Sequence, residues 1–112
     1  PFNLGLNEVK IGMTMHQFGI ELPRARLTQS SFQRAVNTAQ IFTPSEAVEA
    51  GFLDKVVAAE DLMAAAREEA QRLSGLNLPA HQATKLKMRA DLLKTLDAAI
   101  AKDYQEQIAL LG

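Results

Sequence analysis

The stretch "FNLGLNEVKIGMTM", residues 2–15, decides how the rest of the chain is read. Phe2, Leu4 and Leu6 alternate at the period of a half-buried strand, and the next residue in that phase is Glu8. Beyond it the apolar residues change parity, to Val9, Ile11, Met13 and Met15. The pattern therefore sets a carboxylate in line with a buried face, where the strand breaks. One reading is a surface acid at a strand end. The other is a proton-transferring group, because apolar surroundings disfavour a carboxyl's charged form and raise its pKa toward the range where it both takes and gives a proton. A lone strand also needs partners for its edges. No second long strand is visible downstream, so the partner is expected in polypeptide preceding Pro1, and the chain is expected to be a fragment.

Outward from this segment the chain turns helical. Thr14 is a candidate N-cap, with Met15, Phe18, Ile20 and Leu22 as apolar residues; Gly19 weakens the segment and Pro23 is expected to interrupt it. "TQSSFQRAVNTAQIF", residues 28–42, predicts a second helix capped by Ser30 or Ser31, with Phe32, Ala35, Val36 and Ala39 on one face. "TPSEAVEAG", residues 43–51, carries the clearest local signal: Thr43 as cap, Pro44 at the first helical position, Glu46 closing a capping box and Gly51 at the left-handed terminus. "FLDKVV", residues 52–57, reads as a short strand or an extended connector. In "AAEDLMAAAREEAQRLSG", residues 58–75, the stripe is Leu62 or Met63, Ala66, Ala70 and Leu73, stopped by Gly75. Pro79 then opens a helical tract in which Leu93, Leu96, Ile100, Tyr104, Ile108 and Leu111 step by three or four, as one helix or as two with a bend near Arg89 to Asp91. The fold read this way is mostly α-helical, with one N-terminal strand and a short extended segment.

Composition narrows the function classes. The chain has 112 residues, enough for one domain with a sizeable core, and 47% of them are apolar, which marks a folding sequence. The net charge is −1 and the 12 basic residues are dispersed, so no nucleic-acid footprint is expected. Cysteine is absent, which removes disulfides and thiolate chemistry and fits a reducing compartment. No apolar run approaches membrane-spanning length and no charged-then-apolar leader opens the sequence, so a soluble, cytoplasmic protein with no membrane partner is expected.

Few other side chains suggest chemistry. His16 and His81 are isolated from any acidic or cysteine cluster at ligand spacing, so no metal is expected. Ser30, Ser31 and Ser45 are explained as helix-start residues, Gly5, Gly12 and Gly19 fit no phosphate loop, and Met13 and Met15 read as core. Lys85, Lys87 and Arg89 form a small basic group, most simply a solvated face. The C-terminal amphipathic tract can cover its own core or dock on a neighbouring subunit.

The order of these elements resembles the second half of the crotonase (enoyl-CoA hydratase/isomerase) superfamily, from Phe2 to about Arg89. The resemblance rests on "LNEVKIG", residues 6–12, similar to that family's Glu-hydrophobic-x-hydrophobic-Gly strand end, and on "SEAVEAGFLDKVV", residues 45–57, similar to its Ala-x-x-x-Gly-hydrophobic-x-x-x-Val stretch. "ATK", residues 83–85, follows in order after a Pro-opened helix. The resemblance implies an α/β spiral of strand-strand-helix turns, almost all of it preceding Pro1. Residues 1–42 would then end the spiral core, and residues 43–112 would form a helical trimerisation region.

It further implies an enzyme that transfers a proton on an enoyl-CoA thioester while two backbone N–H groups, upstream of this chain, hold the enolate oxygen. Glu8 matches the family's general acid/base glutamate, and in a hydratase a second glutamate would also precede Pro1. The implied partners are acyl-CoA, taken as substrate with no separate cofactor, the N-terminal half of the same protein, and further copies in a trimer or dimer of trimers. Lys85 is the candidate contact to the CoA adenine site of a neighbouring subunit. Two departures bear on the reaction: Asn7 stands where many hydratases have Pro, and "MTMHQFGIEL", residues 13–22, replaces a Gly-rich segment. Double-bond isomerisation thus stands beside hydration. The competing reading is a helical assembly fragment with no activity of its own.

Overall fold

The structure, a computed structural model, describes residues 2–111. Pro1, which the sequence reading sets at the head of the first strand, lies outside the described residues, as does Gly112. In chain order the elements are β1 (Leu4–Gly5), a 3₁₀ turn (Val9–Ile11), α1 (Gln17–Arg26), α2 (Gln29–Val36), β2 (Ile41–Phe42), α3 (Pro44–Ala50), a second 3₁₀ turn (Ala59–Asp61), α4 (Leu62–Ser74) and α5 (Leu78–Leu111). The chain is mostly helical, as the sequence predicts, but α2 stops at Val36 and Ile41–Phe42, read as part of that helix, form a second strand. The residues divide into two compact units, one of residues 2–56 with 92–111 and one of Val57–Asp91.

In the first unit β1 pairs antiparallel with β2, Leu4 opposite Phe42 and Gly5 opposite Ile41. The strand thus has a partner inside the chain, contrary to the expectation that all its partners precede Pro1. Two residues are too few to show a periodicity, and β2 is fixed by its flanks: Ala39 turns the chain at φ 54° and Thr43 caps the next helix. Phe42 is 2% exposed and centres a cluster with Leu27, Ala35, Ala47 and Ala50, against which Leu4, Leu6, Phe32, Phe52 and Leu53 pack. The rings of Phe42 and Phe52 stand 5.4 Å apart and tilted by 56°, a favourable edge-on arrangement. Phe2, in the same phase, is 80% exposed, so the buried alternation begins only at Leu4.

The helix termini correct several expectations. Thr14 does not cap α1, which starts three residues later with His16 in the cap position and no side-chain cap from it. Pro23 does not interrupt α1 either. It removes one rung of the ladder, and the Leu27 N–H donates to the Pro23 carbonyl at 2.8 Å, closing the helix beyond it. The α2 cap is Thr28, whose hydroxyl accepts from the Ser31 N–H at 3.3 Å, in place of Ser30 or Ser31; Ser31 itself is buried. Ala35 and Val36 are buried and Phe32 half-buried, as the periodicity predicts. The Arg24 guanidinium, 4.9 Å from the centre of the Phe32 ring, links α1 to α2.

Helix α3 follows the predicted signals closely. The Thr43 hydroxyl accepts from the Glu46 N–H, and a Glu46 carboxylate oxygen accepts from the Thr43 N–H at 2.8 Å. Gly51 ends the helix at φ 103°, with its N–H on the Ala47 carbonyl at 3.1 Å. "FLDKVV" is an irregular connector, not a strand, and its Phe52 and Leu53 pack on the core.

The C-terminal part of α5 belongs to this unit. Its inward face is Leu92, Leu96, Ala99 and Asp103, spaced four, three and four; Ala99 is 3% exposed. The predicted stripe shares only Leu96 with this face, while Leu93, Ile100, Tyr104, Ile108 and Leu111 are exposed. Of the two places open to the stripe, it does not cover this unit's own core, where Leu92, Leu96, Ala99 and Asp103 are turned instead.

In the unit Val57–Asp91, α4 forms as expected, but its apolar side is exposed, with Leu62 at 58% and Met63 at 60%. Nothing in that unit covers it. Gly75 closes α4 without a left-handed backbone. The Asn77 side chain caps α5 by accepting from the Ala80 N–H at 3.0 Å, with Pro79 in the first turn. Helix α5 runs unbroken for 34 residues, so no bend separates Arg89 from Asp91.

Candidate active site

The burial of residues 4 to 8 alternates as the sequence predicts, with Leu4, Leu6 and Glu8 partly buried and Gly5 and Asn7 exposed. Glu8 stands at the end of this run and starts the Val9–Ile11 turn. Its carbonyl accepts from the N–H groups of Met13 at 2.8 Å and Ile11 at 3.2 Å. Gly12 passes through φ 83° to close the turn. The Glu8 backbone is therefore pinned, while its side chain keeps one oxygen, Oε2, buried with no hydrogen-bond partner among the described residues.

A buried carboxylate oxygen left without a donor is costly unless a proton, a water or a ligand meets it. Beside this turn is a cleft of about 480 Å³ lined by Val9, Gly12, Met13, Thr14, Met15, Ile20, Val36 and Asn37. The lining is dominated by aliphatic and thioether side chains, and Met15 is nearly fully buried. Glu8 adjoins the cleft through Val9 and is not itself in the lining. The groove is thus lined by the residue that follows Glu8 in the chain, Val9.

Lys85 lies in the other unit, exposed on α5. It lines an open groove of about 460 Å³ with Leu76, Asn77, Ala80, His81, Thr84, Met88 and Arg89. No group of three or more His, Cys, Asp or Glu that could hold a metal exists among the described residues, and no described helix is long and apolar enough to cross a membrane.

One long-range contact escaped the sequence reading. The Asp103 carboxylate of α5 accepts from the N–H groups of Gln17 at 2.7 Å and Phe18 at 2.8 Å, capping α1 from 86 positions away. Partial burial opposes its ionisation, but the Phe18 and Gln17 N–H groups, with His16 and Lys102 nearby, outweigh this and hold its pKa below the usual aspartate value. The available signal was the start of α1 itself, which has no Ser, Thr, Asp or Asn in the cap position.

The chain joins a two-residue strand followed by a half-buried glutamate, a short capped helix closed by a left-handed glycine and a long C-terminal helix. It matches the enoyl-CoA hydratase/isomerase family over residues 2–110 and belongs to that family. Among solved structures it superposes on an enoyl-CoA hydratase/isomerase family protein from Pseudomonas syringae with a TM-score of 0.91 at 57% identity, covering 94% of this chain and 46% of that one. The enoyl-CoA hydratase EchA3 from Mycobacterium ulcerans gives 0.89 at 40% identity, covering 94% and 46%. An enoyl-CoA isomerase of Mycobacterium tuberculosis also gives 0.89 at 40%, with the same coverage. The chain thus spans about half the length of these structures. No curated protein matches it.

Proposed function

We propose that this chain carries the acid/base glutamate of an enzyme acting on enoyl-CoA thioesters, with Glu8 moving the proton. The observation that carries the reading is the Glu8 Oε2 atom, buried and without a hydrogen-bond partner among the described residues, in a chain of this family. In double-bond migration the carboxylate takes a proton from C2 of a 3-enoyl thioester, and the electron pair moves onto the thioester oxygen. The resulting carboxylic acid then returns the proton at C4, so no co-reactant is consumed. In hydration the same group takes a proton from water or gives one to C2. Either reaction needs donors for the developing oxyanion. In this reading they come from polypeptide outside this chain, as does a hydratase's second glutamate.

CoA enters as part of the substrate, and no separate cofactor takes part. Residues 1–42 close the catalytic core, and residues 43–112 are the assembly region. The exposed apolar sides of α4 and α5 support an assembly in which further copies cover them, a trimer or a dimer of trimers. In this reading Lys85, which lines an open groove with Arg89 and His81, contacts the CoA adenine site of a neighbouring subunit. A cytoplasmic location accords with the cysteine-free sequence. The second reading, a helical assembly piece without activity of its own, draws support from the same exposed faces and the half-length coverage.

The test is Glu8→Gln in the intact protein, assayed with crotonyl-CoA for hydration and a 3-enoyl-CoA for isomerisation. Loss of a general acid/base group costs about 10²–10⁴ in turnover, so at least a hundredfold loss is expected with acyl-CoA binding retained. Unchanged turnover removes Glu8 from the mechanism. Activity confined to one of the two substrates separates hydratase from isomerase.

A further inference from the structure

We propose that Asp103 is a positioning residue for the site around Glu8: by holding the first turn of α1, it fixes the wall of the cleft that selects the acyl chain. The inference rests on the acid/base reading of Glu8.

Helix α1 begins without local support. Four N–H groups at a helix start lack intrahelical partners, and the residue in the cap position, His16, supplies no side-chain acceptor. Asp103 takes two of these donors at once, Gln17 and Phe18, at charge-assisted distances of 2.7 and 2.8 Å. One turn earlier on the same helix, Ala99 is 3% exposed, so α5 is buried on this side. Lys102 reinforces the contact by donating to the Gln17 side chain at 3.4 Å, and Gln17 in turn donates to Glu21 at 2.9 Å.

What Asp103 holds is also what shapes the cleft. Ile20, in the first turn of α1, lines the cleft together with Met13, Thr14 and Met15 of the preceding loop. Loop and helix are packed as one body. A Cβ added at Gly19 would stand 2.5 Å from Met15 Sδ and 3.0 Å from the His16 ring. The Ile20 N–H closes onto the His16 carbonyl at 3.2 Å. That loop runs back to Met13, whose N–H is bonded to the Glu8 carbonyl. A change at Asp103 therefore reaches the acyl-facing wall through α1 and its loop. Small misplacements of this kind have large kinetic effects, because reacting groups must be held in near-attack geometry.

The experiment compares wild type, Asp103→Asn, Asp103→Glu and Ile20→Ala in the intact protein. For each, kcat and KM are measured with crotonyl-CoA and decenoyl-CoA, and Kd with butyryl-CoA and decanoyl-CoA, at a temperature where all are folded. The Asn variant loses the charge and one acceptor. The Glu variant keeps both but sets them one methylene further out. The expected result is a change of about three- to tenfold in the long-to-short ratio of KM and of Kd in both Asp103 variants, in the same direction as in Ile20→Ala. If Asp103→Asn does not fold, Asp103→Glu and Ile20→Ala carry the comparison. Wild-type ratios in every folded Asp103 variant, accompanied only by a lower Tm, would make Asp103 a stability cap and overturn the inference. The Glu8→Gln control separates the two ideas: full turnover there removes the acid/base reading, whereas an inactive Glu8→Gln with unaltered Asp103 ratios removes this inference alone.

Discussion

The backbone N–H of Met13 donates to the carbonyl of Glu8 at 2.8 Å, so the residue with the unpartnered carboxyl oxygen also closes the turn that leads the chain away from β1. The two ends of Glu8 do different work. Its main chain is committed to structure, and its side chain is left over for something else. The turn is possible because Gly12 adopts φ 83°, a conformation that costs residues with a Cβ about 1–2 kcal/mol.

Gly12→Ala is therefore expected to lower stability by about 1 kcal/mol, since a Cβ there meets no atom within 4 Å. Gly51→Ala should cost more. Its φ of 103° is as unfavourable, and its new Cβ would lie 2.7 Å from the Arg26 carbonyl oxygen. Denaturant unfolding of the two variants gives the comparison. Equal losses would show that the Arg26 carbonyl gives way.

Phe42 and Ile41 are adjacent on β2 and point to opposite faces. Phe42→Ala should cost about 3–5 kcal/mol, through lost burial and the cavity left among Leu27, Ala35 and Phe52. Ile41 is 44% exposed, and Ile41→Ala should cost about 1 kcal/mol or less. Similar values for both would mean that polypeptide outside this chain covers Ile41.

Acid should weaken the structure through two named carboxylates. Glu46 has its pKa lowered by the Thr43 N–H and hydroxyl, against a small opposing effect of burial and with help from Arg34. Asp103 has its pKa lowered by the Phe18 and Gln17 N–H groups and by His16 and Lys102, against the opposing effect of burial. A carboxylate with a depressed folded-state pKa contributes stability above its unfolded value, near pH 4, and loses it as the pH falls through the folded value. Melting temperatures measured from pH 7 down to pH 3 should fall most steeply below about pH 4. In Glu46→Gln and Asp103→Asn that acid limb should be shallower. An unchanged limb in both would place the acid sensitivity elsewhere.

Local signals specify α3 completely: Thr43, Pro44, Glu46 and Gly51 each act within a few residues of themselves. The alternation that singled out Glu8 was legible for the same reason, because Leu4, Leu6 and Glu8 lie on one face of one short run. What depended on distant residues was not. The partner of β1, Ile41–Phe42, lies far along the chain and is only two residues long. The cap of α1 comes from Asp103, which no window around His16 contains. Pro23 looked like a break because the rule for proline counts a lost rung, and α1 loses one and continues. The stripe of α4 was legible as a stripe, but not what covers it, and nothing in its own unit does.

Helix α5 offers the sharpest separation of a folding face from an assembly face, because Ala99 and Ile100 are neighbours with opposite exposures, 3% and 51%. Leu92, Leu96, Ala99 and Asp103 face inward, while Leu93, Ile100, Tyr104 and Ile108 make an apolar stripe turned away from them. Ala99→Leu inserts bulk where the backbone is close. It should cost about 1–3 kcal/mol by overpacking, seen as a lower denaturant midpoint, with the mass in solution unchanged. Ile100→Ser removes apolar surface from the outer stripe. It should leave the midpoint of the dissociated protein within about 0.5 kcal/mol of wild type and lower the mass measured by light scattering, as subunits that cover the stripe separate. A mass unaltered in Ile100→Ser, Tyr104→Ser and the double variant would mean that this stripe does not hold another copy.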